Sequence, residues 1–264
     1  MIERQQLLSG NDLVKLKVCG LTQLEQIDEL VAMKTDFLGF IFYEKSPRFI
    51  LNHLDLRQIS DIEHQGKVGV FVNESLEKIV ENASMAKLNF IQLHGDESKD
   101  FIVELRKKLN PETKIIKVIR IGNQHLNELR KTINQNQFPI DYLLFDTDST
   151  AFGGTGKTFD WNLLNEIQIP IPYFLSGGIS LEHIDKIKIL KQKPFSIDIN
   201  SRFEINPGIK DLEKIKNLKN NINKTESRRE TYNRIGCKSD LNDNKNKKGP
   251  EGTTYRIGCK SDIK

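Results

Sequence analysis

From Lys15 to about Ile222 the chain alternates between two textures. Short runs rich in Val, Ile, Phe and Leu recur: KLKVC (15–19), FLGFIF (37–42), KVGVFV (67–72), FIQL (90–93), KIIKVI (114–119), DYLLFD (141–146), PYFL (172–175) and FSIDI (195–199). Runs of this length and composition predict buried strands. Between them the apolar positions take helical spacing. Leu24, Ile27, Leu30 and Val31 form one stripe, and Leu76, Ile79, Val80 and Ala83 another. Strand and helix in alternation imply parallel strands joined by right-handed crossovers.

Eight strands and eight helical segments fit within 15–222. Eight is the number at which a parallel sheet closes into a small barrel. The alternative is an open doubly wound sheet, which on binding a dinucleotide carries Gly-x-Gly-x-x-Gly after its first strand. Here the first strand runs into CGLT (19–22). The expected fold class is therefore α/β: a single-domain (β/α)8 TIM barrel over 15–222, with an extension over 1–14 and a tail over 223–264.

The tail changes how the charge is read. The 264 residues carry a formal net charge of +4. From Asn223 onward there are 11 of the 40 Lys/Arg and 6 of the 36 Asp/Glu, which leaves 29 basic and 30 acidic residues in the body. The basic excess belongs wholly to the tail and says little about the folded body. The tail itself is rich in Asn, Lys, Ser, Thr and Gly, too poor in apolar residues to form a core, and is expected to be disordered. It repeats RIGCKSD at 234–240 and 256–262, too few copies for a stacking repeat. No apolar run approaches the roughly 20 residues of a membrane span. The opening MIERQQLLSGNDLVK lacks the apolar core of a signal peptide. Cys19, Cys237 and Cys259 match no zinc spacing and make no disulfide framework. A cytoplasmic enzyme is the expectation, with no membrane and no nucleic acid, as a monomer or homodimer.

In such barrels chemistry gathers at the C-terminal ends of the strands. Cys19 ends the first predicted strand, His94 follows the fourth, Asp146 ends the sixth, and Ser176-Gly177-Gly178 follows the seventh. Strand side chains alternate, so Leu16 and Val18 suit the helix-packed outside while Lys17 and Cys19 point inward. A buried lysine needs a partner, and Asp198 on the last strand, adjacent to the first on closure, can supply one. An ammonium nearby favours the thiolate of Cys19. Position alone also allows Cys19 to be a small buried hydrophobe. Asp146 shares a face with Leu144 and reaches the barrel mouth, where burial is expected to raise its pKa and suit it to donate a proton; a turn-capping role is the other reading. His94 can touch a substrate or serve as a hydrogen-bonded structural histidine.

Loops after the seventh and eighth strands of barrels commonly hold a phosphate on backbone N–H groups. SGGIS (176–180) fits that place, and Asn200, Ser201 and Arg202 follow the eighth strand as further donors. Arg48, after the second strand, can grip a carboxylate bidentately or be an ordinary surface arginine. GTGKT (154–158) looks like the end of a nucleotide-binding P-loop, but the position that needs the first glycine holds Ala151.

Seven blocks occur in order: KVCGLT, GFIFYEKSPRFI, KVGVFVNES, IQLHGDES, LLFDT…GGTGKTFDW, FLSGGIS and SIDINSRFE…PGIKD. As a set they resemble the phosphoribosylanthranilate isomerases of tryptophan biosynthesis, over 15–222. The resemblance implies an Amadori rearrangement of a phosphosugar-anthranilate substrate on a (β/α)8 barrel, with neither metal nor other cofactor. It implies Cys19 as general base, Asp146 as general acid and Arg48 on the substrate carboxylate. The phosphate would sit on Ser176–Gly178 and the loop after Ile199. GGTGK then corresponds to a loop that folds over the site. Many members of the family carry glycine where this chain has Arg202. The rivals are a histidine-pathway isomerase, expected to use an aspartate at position 19; a metal-dependent epimerase, which needs inward histidines and carboxylates; and a silent barrel whose basic tail binds RNA or a partner.

Overall fold

The structure is a computed structural model that describes residues 14–135, 139–147 and 159–222. Eight parallel strands form a closed barrel in sequence order. They are β1 (Lys15–Cys19), β2 (Phe37–Ile41), β3 (Lys67–Phe71), β4 (Phe90–Leu93), β5 (Lys114–Ile121), β6 (Tyr142–Thr147), β7 (Tyr173–Leu175) and β8 (Ser196–Ile199). Closure occurs where β1 pairs with β8, with Lys17 in register with Asp198. A short antiparallel hairpin follows, β9 (Glu204–Asn206) and β10 (Ile209–Lys210).

Helices α1 (Leu24–Ala32), α2 (Leu56–Asp61), α3 (Leu76–Met85), α4 (Lys99–Lys108) and α5 (Leu126–Gln135) alternate with the strands, and α6 spans 212–222. Their starts are written locally. Asp55 and Gln58 form a reciprocal capping box on α2, and the Ser75 and Ser98 hydroxyls accept backbone N–H groups of α3 and α4. Arg106, Lys107 and Lys108 complement the C-terminal dipole of α4. The links after β6 and β7 depart from the expected helices: they hold 3₁₀ segments, Trp161–Glu166 and Ile184–Ile189. Pro170 and Pro172 follow the first closely and bar its extension.

The core has two parts, and alternation along each strand separates them. Leu16 and Val18 of β1 face outward and join Ile27 and Leu30 of α1 in the layer between barrel and helices. Phe37, Val68, Ile116, Val118, Leu144 and Phe174 fill the lumen. Phe90, Tyr142 and Phe195 pack against that cluster, with ring centroids 5.2 Å apart for Phe37–Phe90 and 5.0 Å for Tyr142–Phe195. Phe37, Phe90 and Tyr142 open their strands, and Phe195 precedes β8. This aromatic floor closes the N-terminal end and leaves the other rim for chemistry.

The expected disordered tail, the extension before Val14 and the GGTGK loop (153–157) lie outside the described residues.

Candidate active site

The lysine predicted to face inward does so, fully buried, and its Nζ donates to Asp198 Oδ2 at 2.9 Å. Two residues on, Cys19 shares that face and is also buried, a free thiol. The strand neighbour of Cys19 is Gly39. A Cβ on Gly39 would lie 2.9 Å from both the Sγ and the Cα of Cys19, so the missing side chain makes the thiol's room. Burial pushes the Cys19 thiol up, and the Lys17 and Lys210 ammoniums oppose this without overcoming it. The ammonium therefore acts in the expected direction, but desolvation outweighs it and the resting group is a thiol. Burial likewise raises the Asp198 carboxyl against the pull of Lys17, and the nearby Asp146 carboxylate adds to the rise. Lys17 itself is held above its ordinary value: burial opposes its charge, but Asp198 and then Cys19 outweigh it.

Asp146 stands on the rim, partly buried. Its Oδ1 accepts the Thr147 N–H at 2.8 Å, and its Oδ2 lies 3.4 Å from His94 Nε2. The Gln92 amide meets His94 Nδ1 at 3.0 Å. With that amide donating, the ring proton falls on Nε2 and faces Asp146 Oδ2. His94 is thus both hydrogen-bonded from below and turned toward the rim. Asp198 Oδ1 and Gln92 Oε1 are buried with no partner among the described residues. They offer acceptor capacity that a polyhydroxy ligand can use.

The turn after β7 abuts the same carboxylate. Gly177 and Gly178 take positive φ, 82° and 69°, which favours glycine. A Cβ on Gly177 would meet Thr147 Oγ1 at 2.4 Å and Asp146 Oδ1 at 3.3 Å. Ser176 N–H is engaged by the Phe145 carbonyl at 2.8 Å.

Arg48 is buried, not an ordinary surface arginine. Its Nε and Nη2 grip Glu204 at 2.9 and 2.6 Å. Lys210, also buried, donates to Glu204 Oε1 at 2.5 Å and to Asn200 Oδ1 at 2.9 Å. Burial would raise the Glu204 carboxyl, but Arg48 and Lys210 outweigh it and hold it below its ordinary value. This cluster presses on the residue after the thiol: a Cβ on Gly20 would lie 2.6 Å from Arg48 Cδ and 2.8 Å from Asn200 Oδ1. Asn200, expected as an anion donor, has its oxygen committed to Lys210; Ser201 opens the 3₁₀ turn Ser201–Phe203, in which Arg202 is exposed.

The structure thus brings Lys17, Cys19, Asp198, His94 and Asp146 to one end of the lumen, with Arg48 and Asn200 against Gly20, the residue after Cys19, and Gly177 against Asp146. Sequence reasoning gave no role to Glu204, Lys210 or Gly39. A glycine inside FLGFIF was a usable signal of close approach; Glu204 and Lys210 offered none beyond their place in the last sequence block.

A family model described as N-(5′-phosphoribosyl)anthranilate (PRA) isomerase matches residues 16–221. The N-(5′-phosphoribosyl)anthranilate isomerase of Parabacteroides distasonis is 40% identical over 206 residues, covering 77% of this chain and 90% of its own. That of Thermotoga maritima is 39% identical over 208 residues, covering 77% and 96%. Among solved structures, the Thermotoga maritima phosphoribosyl anthranilate isomerase superposes with a TM-score of 0.64 at 34% identity, over 77% of this chain and 96% of that one. A phosphoribosyl anthranilate isomerase in complex with reduced 1-(o-carboxyphenylamino)-1-deoxyribulose 5-phosphate gives a TM-score of 0.61 at 30% identity, over 77% and 95%.

Proposed function

The chain belongs to the N-(5′-phosphoribosyl)anthranilate isomerase family, and from that premise we propose that the mouth of its barrel runs an Amadori rearrangement with Cys19 as base and Asp146 as acid. The reaction converts N-(5-phospho-β-D-ribosyl)anthranilate to 1-(2-carboxyphenylamino)-1-deoxy-D-ribulose 5-phosphate in tryptophan biosynthesis. Asp146 gives its proton to the ribose ring oxygen as the C1′–O bond breaks, and the nitrogen lone pair forms an iminium. Cys19, as thiolate, takes the proton from C2′, and that electron pair flows into the iminium to give an enolamine. Ketonisation moves the O2′ proton to C1′ overall. The iminium is an electron sink within the substrate and a further cation beside the sulfur, which lowers the cost of the thiolate at the step that needs it.

What carries this reading is the buried thiol, set against the Lys17–Asp198 pair on a rim that also bears Asp146. Lys17, on this reading, holds the sulfur's developing charge, and His94 orients the acid and lines the sugar subsite. Arg48 receives the anthranilate carboxylate. The phosphate rests on Ser176, Gly177 and Gly178 with Asn200 and Ser201, Asn200 through its amide N–H. The free thiol that the chemistry needs favours a reducing, cytoplasmic compartment; no helix among the described residues is long and apolar enough to cross a membrane. Monomers have been generated from the dimeric Thermotoga maritima relative, and a homodimer or a monomer fits this chain. The barrel over 15–222 acts without its tail. The direct test follows the fluorescence of freshly made phosphoribosylanthranilate with the intact protein. Decay at the background rate would remove the proposal.

A further inference from the structure

Resting on Arg48 as the receptor of the substrate carboxylate, we propose that Glu204 is a positioning residue for that recognition: it clasps one edge of the guanidinium and leaves the other end, with a net positive charge, for the anthranilate. Glu204 holds Arg48 side-on, through Nε and Nη2. Among the described residues Nη1 takes no partner. A guanidinium held by this edge keeps its Nη1 side available to a second carboxylate.

The charge count points the same way. Two buried cations, Arg48 and Lys210, share one carboxylate, while Lys17 is matched separately by Asp198. The surplus positive charge is costly in a buried site and is relieved by an arriving anion. The anthranilate carboxylate is ortho to the nitrogen bonded to C1′, a few bonds from the C2′ proton that Cys19 takes. Its receptor must therefore stand beside Cys19, and Arg48 packs on Gly20, the next residue.

The hairpin that carries Glu204 is itself anchored. Gly208 N–H donates to Glu204 Oε1 at 3.1 Å, and Thr22 Oγ1 donates to the Gly208 carbonyl at 2.7 Å. Gln26 of α1 clasps both backbone groups of Lys210 at 2.8 Å each. The carboxylate is thereby held rigidly to the β1–α1 end of the barrel, at the position a clamp needs.

The experiment measures binding of two reduced product analogues, with and without the ring carboxylate, to Glu204→Gln, Glu204→Asp, Arg48→Ala and the parent, with kcat and KM alongside. We expect Glu204→Gln to weaken the carboxylate analogue by about tenfold or more. The analogue lacking the carboxylate should bind unchanged, KM should rise more than kcat falls, and Glu204→Asp should recover part of the loss. Equal weakening of both analogues would make Glu204 merely structural, and tighter binding of the carboxylate analogue would make it a competitor for Arg48; either result overturns the inference. If Glu204→Gln does not fold, the double variant Glu204→Gln/Lys210→Met removes a balanced pair and must show the same selective loss. Selective weakening in Arg48→Ala without any in the Glu204 variants sinks this inference alone. No selectivity in Arg48→Ala sinks the reading of Arg48 beneath it.

Discussion

Lys17 and Asp198 meet across the seam that closes the barrel, Nζ to Oδ2 at 2.9 Å, both buried and 181 residues apart in the chain. The pair ties the last strand to the first and sets a cation beside Cys19. Replacing one partner leaves the other charge buried and alone. Asp198→Asn should cost about 3–5 kcal/mol of stability in chemical denaturation. The double change Lys17→Met/Asp198→Leu should recover much of that and still leave an inactive enzyme. A double variant with parental turnover would show that the pair serves folding only.

Cys19→Ala and Asp146→Ala should each lower kcat by about 10²–10⁴-fold, the range for a lost general acid or base. Circular dichroism and melting temperature should stay near the parent's, because neither side chain secures a strand. If either variant keeps substantial turnover, its assigned proton transfer is wrong.

The pH profile follows from the burial of Cys19. Its thiol is held above the ordinary value, so the thiolate that we propose as base is scarce at neutral pH and grows as pH rises. We expect kcat/KM to climb from about pH 7 and to go on climbing past the ordinary thiol value of about 8.5. Lys17→Met removes an opposing cation and should move the climb to still higher pH. A flat profile over that range would contradict a thiolate base in the free enzyme.

Gly39 makes the thiol's room, so Gly39→Ala tests the packing directly. The new methyl would press on Cys19 Sγ and Cα at 2.9 Å. Overpacking of this kind costs about 1–3 kcal/mol. Turnover should fall further than that loss of stability explains, since the sulfur is displaced. An unchanged kcat in a folded variant would show that the thiol's position has slack.

Cutting the chain after Ile222 should leave the isomerisation rate nearly unchanged, and should abolish any salt-sensitive nucleic-acid binding the intact chain shows. A collapse in rate on truncation would assign the tail a part in the barrel's function.

The sequence by itself determined the barrel. Apolar runs and helical stripes are local patterns, and the eight predicted strands appear with ends shifted by at most two residues. It also held the Lys17–Asp198 pair, because closure makes the first strand neighbour the last and a buried ammonium needs a carboxylate. The links after β6 and β7 escaped it: apolar spacing suggests a helix but does not tell a 3₁₀ segment from an α-helix, and in the first link Pro170 and Pro172 bar further turns. Glu204 on Arg48, with Lys210 on both Glu204 and Asn200, was decided only by the tertiary structure. Those residues are far apart or lie in a hairpin outside the barrel's repeat, and no period relates them. The same holds for the balance at Cys19. A neighbouring lysine can be inferred from spacing, but the depth of burial that outweighs it exists only once the whole ring of strands has closed around the sulfur.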